Sequence, residues 1–468
     1  MKFIKKLSLS GCSKLENLPE IQDTLEDLKK LILDDTAIHA LPSSWTRLVG
    51  LQQLSLRCCL NLEIIPSSIG SLTGLCKLDL THCSSLQTFP STIFNLKLRR
   101  LDLCGCSSLR TFPEIREPAH TFAHINLTST AVKELPSSFA NLVNLRSLEL
   151  PKCTDLESLP NSIVNLKLLS KLDCSGCAKL TEIPTHIGRL TSLVELSLRD
   201  SGIVNLPESI GHLSSLKLLD LSDCKKLECI PPIPSFLQQL VALDCPSIRR
   251  VMPNSLVLNL SNSKEGVFKF HFTNAQQLDS GGRAIIEEDA RLRMTDDRYR
   301  SVFFCFPGST VPGWFHFRGK GHSLTINEDL SFCSNDRLTG FALCVAFGVL
   351  DTNSVRGRYG FFRYSLKFES DDDGTHIIAN NHMLNRYFKW NGEYRVVDKD
   401  HTIVWKFNLE SLSPRLCDAR SFTFEISPDV GITIKECGIC PLYSKKKDDK
   451  YGGAVDIEES SGSNVASR

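Results

Sequence analysis

The chain has 468 residues and a mass of 52.2 kDa, more than one compact hydrophobic core usually accommodates. Hydrophobic residues make up 41% and charged residues 23%, which excludes a largely disordered chain and a membrane protein. Lys and Arg number 54 against 53 Asp and Glu, and this balance argues against a nucleic-acid-binding protein.

The N-terminal sequence, MKFIKKLSLSGCSKLENLP, does not predict export. Lys5 and Lys6 interrupt any apolar stretch of the kind that a secretory signal needs. No segment approaches the roughly 18 apolar residues of a membrane span. The chain contains 19 cysteines, an odd number, and without an export signal we expect reduced thiols and a cytoplasmic or nuclear protein.

The first half of the chain is a repeat. Each unit contains a leucine or isoleucine, an apolar residue two positions later, and a proline about halfway along the unit. The first leucine-like position is occupied by Leu7, Leu31, Leu54, Leu78, Leu101, Ile125, Leu148, Leu172, Leu196 and Leu219, and a decayed eleventh copy follows at Leu240 and Leu243. A period in the twenties with L-x-x-L-x-L defines a leucine-rich repeat. We predict short parallel strands stacked into an α/β solenoid over residues 1–251, because no unit buries its leucines alone.

A thiol or a small hydroxyl side chain stands five positions after the first leucine of every copy. The thiols are Cys12, Cys59, Cys83, Cys106, Cys153, Cys177 and Cys224, and the hydroxyls are Thr36, Thr130 and Ser201. We expect these side chains to turn inward and to hydrogen-bond to the backbone of the bend after the strand. Thiols spaced one repeat apart do not supply the four ligands of a zinc site, so we predict no metal.

Two charged columns flank the leucines on the exposed side of the predicted sheet. The residue after the leucine is often acidic (Asp79, Asp102, Glu149, Asp173, Asp220), and the residue before it is often basic (Lys6, Lys30, Lys77, Arg100, Lys171). The columns could neutralise each other on a solvated face, or they could form a charge-striped docking face. The candidate ligand-binding residues are Asp79, His82, Arg99, Arg100, Asp102, His124, Asn126, Arg146, Glu149, Lys152, Lys171, Asp173 and Arg199, and a basic cluster in the middle repeats belongs to this set.

Composition changes near residue 252. Residues 1–251 hold 7 of the 25 Phe and 13 of the 19 Cys, whereas the remainder holds 18 Phe and three of the four Trp. Alternating runs such as FKFHF at 268–272 and WFHF at 314–317, separated by Gly, Pro, Asn and Asp, predict eight or nine strands, and one helix is predicted near 282–294. We predict an antiparallel all-β sandwich over residues 252–443 and a disordered tail over 444–468, which is charged and rich in Gly and Ser.

The segment FPGSTVPGWFHF, Phe306 to Phe317, is distinctive in the second half. Its Pro and Gly residues constrain turns, and Trp314 and Phe315 supply a large apolar anchor. This aromatic pair either leads into a strand of the core or contacts a partner. Both residues therefore belong to the candidate ligand-binding set.

The repeats resemble those of a known receptor class. The unit LRSLELPKCTDLESLPNSIVNLKLL is similar to the repeats of plant intracellular immune receptors that carry an N-terminal Toll/interleukin-receptor domain. FPGSTVPGWFHF, FTNAQQLD and ITIKECGICPLY resemble the jelly-roll/Ig-like domain that follows the repeats in that class, although Ala275 stands where the family usually has Cys. The resemblance implies a disease-resistance sensor that binds a pathogen effector or a guarded host protein. It also implies contacts with other domains of a full-length receptor, and no cofactor, nucleic acid or membrane.

Catalytic motifs are missing from the sequence. There is no G-x-x-x-x-G-K-[ST] loop and no Toll-like domain, so we expect a non-enzyme and a piece of a longer receptor. Cys437 and Cys440 form a lone pair, which is weak support for zinc, and DDDG at 371–374 lacks EF-hand spacing.

Three alternative functions stay open. They are a repeat-targeted enzyme, such as a ubiquitin ligase or a hydrolase, that uses Cys305, Cys417, Cys437 or Cys440; a signalling-incompetent decoy or adaptor; and an extracellular ectodomain glycosylated at Asn126 or at Asn259.

Overall fold

The computed structural model describes residues 4–234, 236–253, 266–327, 337–349, 362–370, 374–382, 389–390, 393–394, 399–409, 419–428 and 432–444. Four sequence features lie outside the described residues: tail residues 445–468, the sequon at Asn259, acidic residues 371–373 and Cys417.

The repeat array forms one main parallel sheet with one short strand per unit, and Cys229–Ile230 and Arg250–Val251 pair separately as a two-stranded parallel sheet. The strands of residues 4–253 are β1 (Lys6–Ser8), β2 (Lys30–Ile32), β3 (Gln53–Ser55), β4 (Lys77–Asp79), β5 (Arg100–Asp102), β6 (His124–Asn126), β7 (Ser147–Glu149), β8 (Lys171–Asp173), β9 (Glu195–Ser197), β10 (Leu218–Asp220), β11 (Cys229–Ile230), β12 (Gln239–Val241) and β13 (Arg250–Val251). The central leucines pair in register, as in Leu7 with Leu31 and Leu219 with Leu240. This register buries the central leucines from Leu31 onward in one core, and the first repeat's Leu7 and Leu9 pack against it partly buried.

Seven 3₁₀ turns cover the opposite side of the described array. They span Ser43–Arg47, Ser67–Ser71, Ser91–Asn95, Ser137–Asn141, Asn161–Asn165, Ile187–Arg189 and Glu208–His212. In six of them a proline with extended backbone precedes the turn, as Pro42 does. An apolar residue of each turn is buried, for example Trp45 and Phe139. The proline therefore ends the extended segment and starts the outer turn.

The sheet does not stop at residue 252. The elements after it are β14 (Gly266–His271), α1 (Ser280–Met294), β15 (Tyr299–Pro307), β16 (Phe317–Lys320), β17 (Ser323–Ile326), β18 (Leu338–Val349), β19 (Phe362–Ser370), β20 (Gly374–His382), β21 (Lys389–Trp390), β22 (Glu393–Tyr394), β23 (His401–Asn408), β24 (Ala419–Pro428) and β25 (Ile432–Tyr443). β14 pairs in parallel with β12, and β15 pairs in parallel with β14. Antiparallel pairing begins only between β15 and β23, so a purely antiparallel second half was the wrong expectation for two strands.

The parallel extension has a visible cause in the sequence. Phe270 pairs with Leu240, and the segment Phe270–Ala275 repeats the apolar-x-apolar spacing of the units before it. Asn274 adopts φ 58°, as Asp244 (φ 56°) does at the same repeat position. Ala275 therefore takes the position that a thiol occupies in the repeats, which gives a structural reason for a Cys preference there.

The β-rich part is a sandwich. One layer continues the repeat sheet through β15, β16, β18, β23 and β25, and the other has the order β17-β24-β19-β20. Between the layers lies a second core that includes Phe341, Phe347, Phe422 and Phe424. The predicted helix is found as α1, whose Ile286, Ala290 and Met294 pack into the repeat core. WFHF was expected as a strand, but β16 begins only at Phe317 because the Pro-Gly turns extend to that point.

Candidate functional site

The two charged columns lie side by side on the exposed face of the repeat sheet. On the acidic side, Asp79 pairs with Asp102, Asp102 with Asn126, and Glu149 with Asp173. On the basic side, Lys30 pairs with Gln53, Gln53 with Lys77, and Arg100 with His124. The register of the sheet therefore brings most of the predicted candidates onto one surface, which we call the concave face.

The acidic column closes the turns that follow its own strands. Asp79 Oδ1 accepts from the Thr81 backbone N–H at 3.0 Å and from the Thr81 hydroxyl at 2.7 Å. Asp173 accepts from Ser175 at 3.0 and 2.6 Å in the same way. Equivalent bonds join Asp102 to Cys104, Asn126 to Thr128, and Asp220 to Ser222. Asp and Asn favour this bond to the backbone two residues on, so the column has a structural task that the sequence analysis missed.

Ion pairs on the concave face are uneven along the array. Lys171 Nζ lies 3.5 Å from Glu149, and Arg199 Nε lies 3.4 Å from Asp223, so the later repeats neutralise two predicted cations. In the earlier repeats, no ion pair within the described part of the chain engages Lys30, Lys77 or Arg99. Neutralisation is therefore incomplete in the earlier repeats, where Arg100 pairs with Asp102 at 2.9 Å but these three cations have no such partner among the described residues.

A depression of about 590 Å³ lies on the earlier repeats. We call it the basic depression, and it is lined by Lys30, Leu31, Gln53, Leu54, Ser55, Cys76, Lys77, Leu78, Asp79, Arg99, Arg100, Asp102 and His124. Five predicted candidates belong to it: Asp79, Arg99, Arg100, Asp102 and His124. Lys30 and Lys77 stood in the predicted basic column but were not chosen as candidates.

The pKa of His124 reflects the charges around this depression. Burial of the imidazole lowers its pKa, and the nearby Arg100, Arg99 and Arg146 lower it further, while Glu149 raises it. The ring is therefore neutral at neutral pH. Three arginines that act on one side chain show that positive charge is concentrated here.

His82 and Lys152 are turn residues. They have φ of 60° and 59°, in the left-handed region, and they stand at the same repeat position as Gly105 and Gly176. A Cβ at Gly105 would meet His82 Nδ1 at 2.4 Å, so His82 lies against the backbone of the next turn. Both side chains are exposed, and the basic depression does not include them.

The remaining candidates divide into two groups. Arg146 is exposed beside the depression, whereas Asn126, Glu149, Lys171, Asp173 and Arg199 continue the face along later strands. Asn126 donates from Nδ2 to Asp102 at 3.0 Å and accepts through Oδ1 from Thr128, so a glycan on Nδ2 would compete with the contact to Asp102.

Phe315 needs a correction as a ligand-contacting residue. Only 2% of its surface is exposed, and it packs in the hydrophobic core. Trp314 is half-buried against the same core, 4.2 Å from the Phe315 ring, and its Nε1 is buried without a hydrogen-bond partner among the described residues. The Pro-Gly turns direct the aromatic pair inward, because burying both rings removes a large apolar area from water.

The thiol column joins successive repeats. Each buried thiol of this column donates to the carbonyl of the residue directly after the strand one repeat earlier, as Cys59 does to Leu33 at 3.1 Å and Cys153 to Leu127 at 3.0 Å. Cys83, Cys106, Cys177, Cys224 and Cys245 make the equivalent bond. For the thiols the expected hydrogen bond therefore crosses between repeats, whereas Thr36 and Thr130 donate to the Leu33 and Leu127 carbonyls of their own bends at 2.7 and 2.8 Å. Cys12 is the exception and is exposed, because no described strand precedes β1.

Thiols of the second half are poor candidates for nucleophiles. Burial raises the pKa of Cys437 to about 12 and also raises the pKa of Cys305 and of Cys440. A thiol that stays protonated reacts slowly. Among the described residues, no group of three or more His, Cys, Asp or Glu side chains could hold a metal ion, and the described cysteines are free.

Helices within the described part of the chain were compared with the length of a membrane span. None of the helices there combines the length and the apolar character that a bilayer crossing requires.

Comparisons with known proteins agree with this architecture. Residues 97–201 match the leucine-rich repeat region family model, and residues 306–448 match the C-JID domain, neither of which is a catalytic domain. The chain is 26% identical over 244 residues to the disease resistance protein RPS4 of Arabidopsis thaliana, which covers 46% of this chain and 20% of that protein. It is 30% identical over 474 residues to the Arabidopsis thaliana protein SUPPRESSOR OF npr1-1, CONSTITUTIVE 1, which covers 95% of this chain and 30% of that protein.

A solved structure gives a further likeness. The Arabidopsis receptor kinase HAESA, in complex with the peptide hormone IDA and the co-receptor SERK1, is 22% identical over 50% of this chain and 40% of that chain, with a TM-score of 0.36. The chain spans only 20% to 30% of the length of the two curated relatives. The two domain matches and these relatives support the assignment of the chain to the C-terminal region of plant disease resistance proteins of the Toll/interleukin-receptor, nucleotide-binding, leucine-rich-repeat class.

Proposed function

We propose that this chain is the sensor region of a disease resistance receptor and that its concave face binds a protein partner. The partner is a pathogen effector or a guarded host protein, as the relatives' role in disease resistance suggests. The chain acts in the cytoplasm or the nucleus, with residues 1–251 as the repeat domain and 252–443 as the β domain. The observation that carries the proposal is the basic depression, where Lys30, Lys77 and Arg99 have no ion-pair partner among the described residues.

The physical support comes from the rigidity of this surface. Its strands pair in register, and the turn bonds of Asp79 and Asp102 hold the end of each strand in place. A preorganised surface loses little conformational entropy when a partner binds. Exposed cations on such a surface favour association with a partner of opposite charge.

The test uses the full chain, co-expressed in leaves with a panel of pathogen effectors. Co-purification of each effector is measured for the wild type, for Arg99→Glu and for Arg146→Glu. Arg47→Glu and Arg189→Glu are matched controls, because both arginines are exposed in outer 3₁₀ turns. Loss of co-purification in the Arg99→Glu and Arg146→Glu variants alone supports the proposal. An effector that is retained equally by all four variants would contradict recognition by this face.

A further inference from the structure

We infer that the basic depression selects an acidic, extended peptide segment of its protein partner. This inference rests on the proposed function and adds the chemistry of the ligand. Its basis is that the carboxylates in β2–β6 already accept hydrogen bonds from the protein, whereas most cations beside them have no acidic partner among the described residues.

The carboxylates of the depression are already engaged. Asp102 accepts from Arg100 Nε at 3.1 Å, from Asn126 Nδ2 at 3.0 Å and from the Cys104 backbone N–H at 3.2 Å. Asp79 accepts twice from Thr81. Asp102 therefore directs its hydrogen bonding to the protein through both carboxylate oxygens, and Asp79 does so through Oδ1.

The cations are less occupied. Within the described part of the chain, Lys30, Lys77 and Arg99 make no ion pair, and the Lys77 and Arg99 side chains are exposed. Arg100 donates two hydrogen bonds to Asp102, but 55% of its side chain is exposed. Its outer edge therefore also faces the depression. These groups offer several positive donors to a ligand that brings carboxylates.

The dimensions fit a short stretch of extended chain. From β2 to β6 there are four strand spacings of about 4.8 Å, or about 19 Å in total. An extended peptide advances about 3.3 Å per residue, so about six residues cross this distance. Nine of the thirteen lining residues have polar or charged side chains, and the exposed surface also includes apolar atoms, so the depression offers contacts for both the carboxylates and the hydrocarbon parts of a peptide.

The experiment measures fluorescence anisotropy with the full chain and a fluorescein-labelled octapeptide that contains four Glu. The matched peptide has Gln in place of every Glu. We expect the Glu peptide to bind at least about tenfold more tightly, and each of Lys77→Gln and Arg99→Gln to weaken it about threefold to tenfold. Arg47→Gln and Arg189→Gln, in the outer turns, should leave binding unchanged. Circular dichroism of every variant confirms that it is folded.

A second readout locates the bound peptide. Cys76 lines the basic depression and is exposed, whereas Cys12 is exposed in the first repeat. A saturating amount of the Glu peptide should slow maleimide alkylation of Cys76 at least about threefold and leave Cys12 unchanged. Equal alkylation rates at Cys76 with and without peptide would overturn the assignment to this depression.

The outcomes of these experiments distinguish the acidic-peptide inference from the proposed sensor function. Equal binding of the Glu and Gln peptides, or equally tight binding of an octauridylate, would overturn the preference for an acidic peptide. If the Arg99→Glu variant loses an effector in leaves while no acidic peptide binds, the sensor function stands and the acidic-ligand inference fails. If acidic peptides bind but no effector depends on the concave face, the depression is an acidic-peptide site and the sensor function fails.

Discussion

Arg100 donates two hydrogen bonds to Asp102, from Nε at 3.1 Å and from Nη2 at 2.9 Å. The same carboxylate accepts from Asn126 on the neighbouring strand and from the Cys104 backbone N–H in the turn. One acidic side chain therefore joins β5 to β6, closes a turn and orients a cation of the basic depression.

The first prediction concerns Asp102→Ala. The change leaves the Cys104 N–H and the Asn126 amide without this acceptor, so we expect a loss of about 1–3 kcal/mol in the free energy of unfolding. Urea denaturation followed by circular dichroism measures it. Asp155→Ala is the matched control, because Asp155 forms its ion pair with Lys179 at the surface, and its urea midpoint should stay close to that of the wild type. Equal midpoints for the two variants would show that the network does not stabilise the sheet.

The sequence predicted most of the solenoid because its period is long and regular. Leu7, Leu31 and the following leucines specify the register directly, and the single helix was placed within two residues of its observed start. The parallel pairing of β14 was missed because Phe replaces Leu at Phe270 and the spacing to Leu240 is 30 residues, outside the repeat period.

The candidate site was predicted only in part. Arg100 was found because basic residues recur directly before the first leucine, and Arg99 and His124 were found as members of the basic cluster in the middle repeats. The turn role of Asp79 was visible as Asp-x-Thr, a spacing that was not weighed. Which cations lack an acidic partner depends on side-chain geometry, so the contrast between Lys77 and Lys171 was not accessible from the sequence.

The second prediction concerns the thiol column. Cys177 is fully buried and donates to the Leu150 carbonyl at 3.2 Å. Cys177→Ala removes the bond and leaves a small cavity, so we expect a loss of about 1–2 kcal/mol in the free energy of unfolding. Cys12→Ala, at the same repeat position but exposed, should have no measurable effect. Chemical denaturation of both variants tests this prediction. An equally large loss of unfolding free energy in Cys12→Ala would show that the inter-repeat hydrogen bond is not the cause.

The third prediction concerns Gly308 in the Pro-Gly segment. A Cβ there would lie 2.6 Å from Arg283 Nη1 and 2.9 Å from Thr402 Oγ1. Arg283 cannot move aside freely, because its Nε donates to Glu287 at 2.7 Å and its Nη2 to the Thr310 carbonyl at 3.1 Å. We expect Gly308→Ala to lower the free energy of unfolding by about 1–3 kcal/mol.

Gly313→Ala is the control for this change. A Cβ at Gly313 would meet no heavy atom within 4 Å, so thermal denaturation should show a melting temperature close to that of the wild type. A similar loss in both variants would mean that the segment tolerates no side chain for a reason other than the Arg283 contact.

The fourth prediction concerns acid. His401 on β23 accepts from the Asn274 backbone N–H at 3.0 Å, and its Nδ1 lies 2.9 Å from the Lys399 carbonyl, so both nitrogens are engaged where the last repeat-like turn meets the sandwich. Burial lowers the pKa of His401 to about 4, although the Lys399 carbonyl, Asp400 and Asp244 act in the opposite direction. Protonation would turn the Nε2 acceptor into a second donor facing the Asn274 N–H, so the neutral ring is the form that holds this contact.

The sign of the pH dependence follows from this lowered pKa. The unfolded chain binds the proton near pH 6.5 and the folded chain only near pH 4, so stability is complete above about pH 6.5 and falls as the pH approaches 4. At about 1.4 kcal/mol per pH unit, His401 alone accounts for at most about 3 kcal/mol of that loss. Urea midpoints measured from pH 7.5 to pH 4 should therefore decline less steeply in His401→Gln, which keeps an acceptor but does not titrate. His212→Gln, which removes an exposed imidazole, is the matched control, and parallel curves for all three proteins would contradict the role of the buried ring.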